Sequence, residues 1–190
     1  MNTTRTFVAV NVSPAVIEQA TALIDRLRAA PTDVKWVEPH NMHISVRFLG
    51  DVRDADIPDV CRAVTEAVSA MQPFAISCRG AGAFPDAHRP RTIWLGVDQG
   101  LDELTGLQAA VEESLASVGF AKEGRVYHPH LTLGRVRSGG PALRDLGRLI
   151  RDHADFEAGT AAIEEVVVFA SYLDRSGPTY QPLGRARLGP

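Results

Sequence analysis

Two short stretches carry the residue types that could do chemistry. HISV at residues 43–46 and HLTL at 130–133 repeat one order: histidine, apolar residue, hydroxyl, apolar residue. Side chains at i and i+2 of a strand share a face, about 6.6 Å apart along it. His43 therefore looks the same way as Ser45, and His130 the same way as Thr132. Ile44 and Val46, like Leu131 and Leu133, face the opposite side, where helices would cover them. An imidazole can take or give a proton near neutral pH, and a hydroxyl can donate a hydrogen bond to an anion. Brought to one small volume, the four side chains would form a symmetric clamp around an anionic centre, with an acid–base pair across it. One histidine-x-hydroxyl would mean little in a chain with six histidines. The weight lies in the recurrence of the whole context, once per half.

The surrounding pattern explains how such strands could be presented. TFVAVNV (6–12) reads as a strand. Ser13-Pro14 then supplies an N-cap and a first-turn proline, and Ile17, Ala20, Ile24 and Leu27 follow at helical spacing until Pro31. VKWV (34–37) and HISVRFL (43–49) read as strands, and DADIPDV opens a helix with the stripe Ile57, Val60, Cys61, Val64 and Val68. PFAISCRGAGAFP (73–85) reads as a strand dissolving into a glycine- and proline-rich loop. The order then repeats. TIWLGV (92–97) is a strand, and the helix from Leu101 carries Leu104, Leu107, Val111, Leu115 and Val118. HLTLGRV (130–136) is the second motif strand, and Leu143, Leu146, Leu149 and Ile150 mark a fourth helix. EEVVVFASYL (164–173) and TYQPLGRARL (179–188) pair around the turn DRSGP. The interval from position 43 to 130 is far longer than a solenoid repeat. The expected architecture is α+β and bilobal: two pseudo-symmetric β-α-β lobes, interleaved in one domain over 1–190, with antiparallel sheets lining a central cleft and helices outside.

Bulk properties narrow the function classes. A formal net charge of −3 over 190 residues argues against a broad cationic face that coats long nucleic acid. It leaves room for a phosphate held by a few local donors. No apolar run approaches the roughly 20 residues of a membrane span, and the N-terminus has no signal-length apolar block, so the default location is the cytoplasm. Cys61 and Cys78 lack metal or redox spacing and read as reduced thiols. A monomer is the expected state, since no spare amphipathic surface stands out.

HISV and HLTL resemble the paired signatures of the two-histidine (2H) phosphoesterases. The wider HISVRFLG and HPHLTLGRV are most similar to the bacterial and archaeal RNA 2′,3′-cyclic phosphodiesterases, also called 2′-5′ RNA ligase-like proteins. The resemblance runs from FVAVNV to VVVFASYL and GPTYQPL, with Ser45 where the family more often has threonine. It implies a substrate, RNA ending in a 2′,3′-cyclic phosphate or a cyclic nucleotide, opened to a 2′-phosphate and a free 3′-hydroxyl. It further implies His43 as proton donor to the leaving 3′-oxygen and His130 as proton acceptor from water, a division that symmetry by itself does not make. Ser45 and Thr132 would then donate to the non-bridging phosphate oxygens, and no metal or other cofactor is called for.

Strand parity places Arg47 on the face of His43 and Ser45, beside the phosphate. Phe48 and Arg135 each lie five positions after their histidine, which by parity turns them away. The resemblance nonetheless suggests that Phe48 stacks on a base and Arg135 pairs with phosphate. His128-Pro129-His130 has the spacing of a pair of zinc ligands, with His40 or His43 in reserve, yet no third or fourth ligand from Cys, Asp or Glu stands at fitting spacing in the sequence. His40 and His128 are expected to fix the loops before the motif strands. The alternatives are 2′-5′ ligase activity of the same site, an RNA-end binding module without turnover, and a zinc hydrolase built on the HxH.

Overall fold

A continuous apolar run, Phe7-Val8-Ala9-Val10, makes up the buried second half of β1 (Thr3–Val10). Ser13 caps α1 (Pro14–Leu27): its hydroxyl accepts from the Val16 amide at 3.3 Å and donates to the Thr160 carbonyl at 2.8 Å. The chain continues through β2 (Val34–Trp36), a 3₁₀ turn at Pro39–Asn41, β3 (Ile44–Arg53), α2 (Ile57–Val68), β4 (Phe74–Phe84), β5 (Thr92–Val97) and α3 (Leu101–Ser117). It closes with β6 (His130–Val136), α4 (Leu143–Asp152), β7 (Glu157–Ile163), β8 (Glu165–Leu173) and β9 (Pro178–Arg187). This computed structural model describes residues 2–174 and 177–189. The β8–β9 connection therefore includes Arg175 and Ser176 of the expected DRSGP turn, which lie outside the described residues.

All the strands run antiparallel to their neighbours in the order β7-β4-β5-β6-β3-β1-β8-β9, with β2 added against β6. The expected two-lobed α+β architecture is present as two four-strand sets that meet where β3 pairs with β6. That junction is a single pair, Ile44 opposite Leu131, both fully buried. Helices α1 and α4 lie against β7 and β4, while α2 and α3 lie against β9, β8 and β3. One apolar core runs beneath both sets.

Two elements depart from the sequence pattern. The glycine- and proline-rich loop expected at the end of 73–85 is instead the continuation of β4 as far as Phe84. Its glycines do not break the strand but make room on it. A Cβ at Gly82 would stand 2.1 Å from the Trp94 ring, so the indole lies across the bare backbone. Strand β7, EAGTAAI, has few branched or aromatic residues to mark it; it forms by pairing with β4 and burying Ala158, Ala161 and Ile163. Gly100 before α3 has φ +75°, and a Cβ there would meet the Ala75 carbonyl at 2.3 Å, so the helix entry requires glycine.

Truncating either residue of the junction leaves a cavity. Ile44→Ala and Leu131→Ala should each lower unfolding free energy by about 2–5 kcal/mol. Because the two side chains share one site, their double variant should lose less than the sum. Urea denaturation of the three variants checks both points; strict additivity would show that the junction is not a packed contact.

Candidate active site

The Ile44–Leu131 pair fixes the register of the motif strands. Carried one residue to each side, it sets His43 across from Thr132 and Ser45 across from His130. Opposed side chains on paired strands have Cβ atoms about 4.5–5.5 Å apart, and diagonal ones about 7–8 Å. The two imidazoles thus occupy one diagonal of a small rectangle and the two hydroxyls the other. Their proximity is felt electrostatically, since charge on His130 disfavours charge on His43.

Each ring is held in the same way. His43 Nδ1 lies 2.8 Å from the Asn41 carbonyl, and His130 Nδ1 lies 2.6 Å from the His128 carbonyl. A carbonyl oxygen only accepts, so in the neutral ring Nδ1 carries the proton and Nε2, on the far side, is left with its lone pair. His43 stacks on Phe7 (centroids 4.9 Å apart) and meets the edge of Tyr180 at 5.2 Å. His130 meets Phe84 at 5.1 Å and Trp94 at 6.3 Å. Burial among these rings disfavours the charged form of both. It takes His43 down to about 4, against the pull of its Asn41 hydrogen bond. His130 is also lowered, first by burial and then by the charges of Arg135, His128 and Arg125, opposed by its bond to His128.

A cavity of about 990 Å³ opens beside this site, lined by His43, Ser45, Thr132, Phe48 and Arg135 and by Arg5, Lys35, Trp36 and Tyr180 among others. Its wall comes mostly from β1, β2, the 3₁₀ turn, β3, β8 and β9, with Thr132 and Arg135 of β6, and His130 is not part of it.

The parity reading of Arg47 is corrected here. Between Val8 and Ala9 of β1 the paired residue on β3 jumps from Arg47 to Ser45, so Val46 is a bulge. A bulge inserts one residue and reverses the facing of the residues after it. Arg47 is therefore turned to the helix side, 7% exposed, with Nη1 2.6 Å from Glu123 and Nη2 donating to the Ala121 carbonyl. Phe48 swings into the cavity, 42% exposed, beneath the Arg5 guanidinium at 4.9 Å. Strand β6 has the matching irregularity: between Ile93 and Trp94 of β5 the partner jumps from Gly134 to Thr132. Arg135 accordingly lies on the cavity side, its Nη1 3.2 Å from the Thr92 hydroxyl. The motifs alone do not reveal Phe7, Tyr180, Phe84 and Trp94, which enclose the rings from other strands. The carbonyls of Asn41 and His128 have a sequence signal, since each lies two residues before its histidine. Among the described residues no group of three or more His, Cys, Asp or Glu could hold a metal ion, so the HxH spacing gains no further ligand. Nor is any helix among them long and apolar enough to cross a membrane.

Comparison with known proteins identifies the family. The model of the 2′-5′ RNA ligase superfamily matches residues 10–174. A protein of Methanothermobacter thermautotrophicus named RNA 2′,3′-cyclic phosphodiesterase is 36% identical over 185 residues, 97% of this chain and 98% of its own. One of the same name from Aeropyrum pernix is 36% identical over 163 residues, 85% of this chain and 90% of its own. The crystal structure of TT0787 of Thermus thermophilus superposes with TM-score 0.77 at 26% identity, covering 97% of each chain. Escherichia coli LigT in apo form has TM-score 0.77 at 23% identity over the full length of both chains, a likeness of fold.

The enclosure of His43 has a measurable consequence. With a folded pKa of about 4 against about 6.5 unfolded, the unfolded chain takes up the extra proton between those values. The stability of the neutral ring is complete above pH 6.5 and is lost as pH falls towards 4, by roughly 3 kcal/mol in all. Wild type should therefore lose more stability than His43→Gln between pH 7 and pH 4.5 in urea titrations. Equal losses would show that the ring titrates normally in the fold.

Proposed function

The chain belongs to the 2′-5′ RNA ligase superfamily, and from that membership and the geometry of the cleft we propose that it hydrolyses the 2′,3′-cyclic phosphate at RNA ends, leaving a 2′-phosphate and a free 3′-hydroxyl. It is an RNA 2′,3′-cyclic phosphodiesterase. The observation that carries the reading is the register of β3 against β6, which supports two imidazoles on opposite sides of one phosphorus. The names of the curated relatives carry the hydrolytic direction rather than the joining one.

The reaction needs water to attack phosphorus in line with the departing oxygen, and that oxygen leaves poorly unless protonated. A neutral imidazole on the attack side and an imidazolium on the other meet both needs. The shape of the cavity supports a division of roles. The leaving 3′-oxygen belongs to a ribose with an RNA chain behind it, whereas the attacking side must admit only water. The open space adjoins His43, and His130 is walled by Phe84 and Trp94. His43 is thus the acid and His130 the base. The bare Nε2 of His130 receives the proton of water. His43 is neutral in the empty site, and the negative charge of a bound phosphate favours its protonation, so proton uptake accompanies binding.

Ser45 and Thr132, on the other diagonal, donate to the non-bridging oxygens and steady the charge that moves in the transition state. Arg135 adds a guanidinium beside Thr132, and Phe48 offers an exposed ring for a base. The partner is then RNA bearing a cyclic phosphate end, or a cyclic nucleotide. The whole chain, 1–190, acts as one catalytic unit and as a monomer, in the cytoplasm.

Incubation with a 2′,3′-cyclic nucleotide in excess EDTA should yield the 2′-monophosphate. His43→Ala and His130→Ala should each lower turnover by about 10²- to 10⁴-fold. Ser45→Ala and Thr132→Val should each lose about 1–3 kcal/mol, or roughly 5- to 150-fold. Activity seen only after zinc is added, or full activity without either histidine, would overturn the reading. Since burial lowers both imidazoles, kcat/KM should peak below pH 6.5, and each histidine substitution should flatten one limb. Removing the Phe48 ring (Phe48→Ala) should raise KM with kcat nearly kept, as the loss of a stacking contact worth about 1–3 kcal/mol.

A further inference from the structure

Residues 118–129, between α3 and β6, lead into the second motif and carry the carbonyl that holds His130. Most of this segment has no regular secondary structure. Its polar ties to the first motif strand come from side chains. Arg47 reaches it at two points, donating to the Ala121 carbonyl and pairing with Glu123 at 2.6 Å. The Glu123 amide in turn donates to Glu112 of α3 at 2.6 Å, and Arg47 Nε stands 3.8 Å from the same carboxylate. Tyr127 donates its hydroxyl to the Ser45 carbonyl at 2.8 Å. A buried guanidinium needs such partners, and its planar fork suits a carbonyl and a carboxylate at once.

The second motif has a counterpart at the matching bulge. Gly134 lies four residues after its histidine, as Arg47 does after its own. The segment leading into the first motif packs there, since a Cβ on Gly134 would stand 2.8 Å from Trp36 Cε3 and 2.8 Å from Val34 Cγ1. Val37 continues the contact, its amide donating to the Leu133 carbonyl at 2.8 Å. That segment ends at Asn41, whose carbonyl holds His43.

We infer that the two bulges buttress the motifs crosswise, and that Arg47 is a positioning residue for His130 while Gly134 serves His43 in the same way. Each imidazole is aimed by a carbonyl on a segment that is registered by the opposite motif strand. Arg47 touches no substrate and acts through the Ala121–His128 segment alone. The inference rests on the acid–base reading of the two histidines for its catalytic consequence, but not for its structural one.

Histidine titrations followed by NMR on substrate-free protein test it. The charged groups facing His130 are Arg135, His128 and Arg125, and the one facing His43 is His130; Arg47 is among neither set. Arg47→Ala should loosen the His128 hydrogen bond, which favours the protonated ring, and so move the His130 midpoint down with His43 nearly unmoved. Loss of a nearby positive charge would move it up. Glu123→Gln, which keeps the shape of the segment, should do the same to a smaller extent and serves if the alanine variant does not fold. Gly134→Ala should lower His43 and spare His130. With a cyclic nucleotide, Arg47→Ala should lower kcat on the order of 10- to 100-fold, as a misplaced catalytic group does, with KM within about threefold, and Arg47→Lys should recover part of it. Midpoints that stay put in Arg47→Ala, or that move together, would sink the proposal. A wild-type protein without hydrolytic activity would instead remove the acid–base reading and leave the crossed titration pattern to be judged separately.

Discussion

One backbone pairing, Ile44 against Leu131, is the constraint that sets the arrangement of the site. Strand sterics dictate that neighbours of a paired residue project from the opposite face of the sheet. Burying these two aliphatic side chains under the helices thus commits His43, Ser45, His130 and Thr132 to the other face. Antiparallel direction does the rest, since it crosses the order of the two motifs and sends like groups to opposite corners. Parallel strands in the same register would have put imidazole beside imidazole. The chemistry thus depends on apolar contacts that touch no reactant.

The environment of the rings is tuned by two opposing effects. Aromatic walls keep the imidazoles neutral, and the carbonyls behind them favour the proton. A ring that is poised this way responds to the charge of whatever enters. The same carbonyls fix the tautomer, so neither ring needs to reorganise before reaction. The walls differ between the lobes: Phe7 and Tyr180 on one side, Phe84 and Trp94 on the other. An internal near-symmetry of backbone therefore coexists with unlike surroundings for two identical side chains.

Much of this is legible in the chain itself, and the reasons for the rest are physical. The motif strands, the four helices and their buried stripes come from period and capping, because burial and hydrogen bonding act locally there. The four side chains of the clamp come from simple alternation. Alternation fails one residue later. A bulge is set by how neighbouring strands share hydrogen bonds, and nothing local in SVRFL or TLGRV marks it. Alternation consequently misplaces Arg47, and only resemblance reaches Phe48 and Arg135. Strand β7 escapes the pattern because alanine and glycine carry little preference of their own. The glycines of β4 read as a break because the indole that needs their space comes from another strand. The aromatic walls come from strands distant in sequence, which no short window can assemble.

The interleaving of the lobes bears on how the enzyme handles its substrate. Helix α1 follows β1 of one strand set but packs against β7 of the other, and α3 follows β5 yet lies against β3. The polypeptide passes repeatedly between the two sides, so there is no line along which few covalent links cross, as a hinge would need. Such a frame resists closing like a jaw, and it sets the spacing of the two imidazoles at folding.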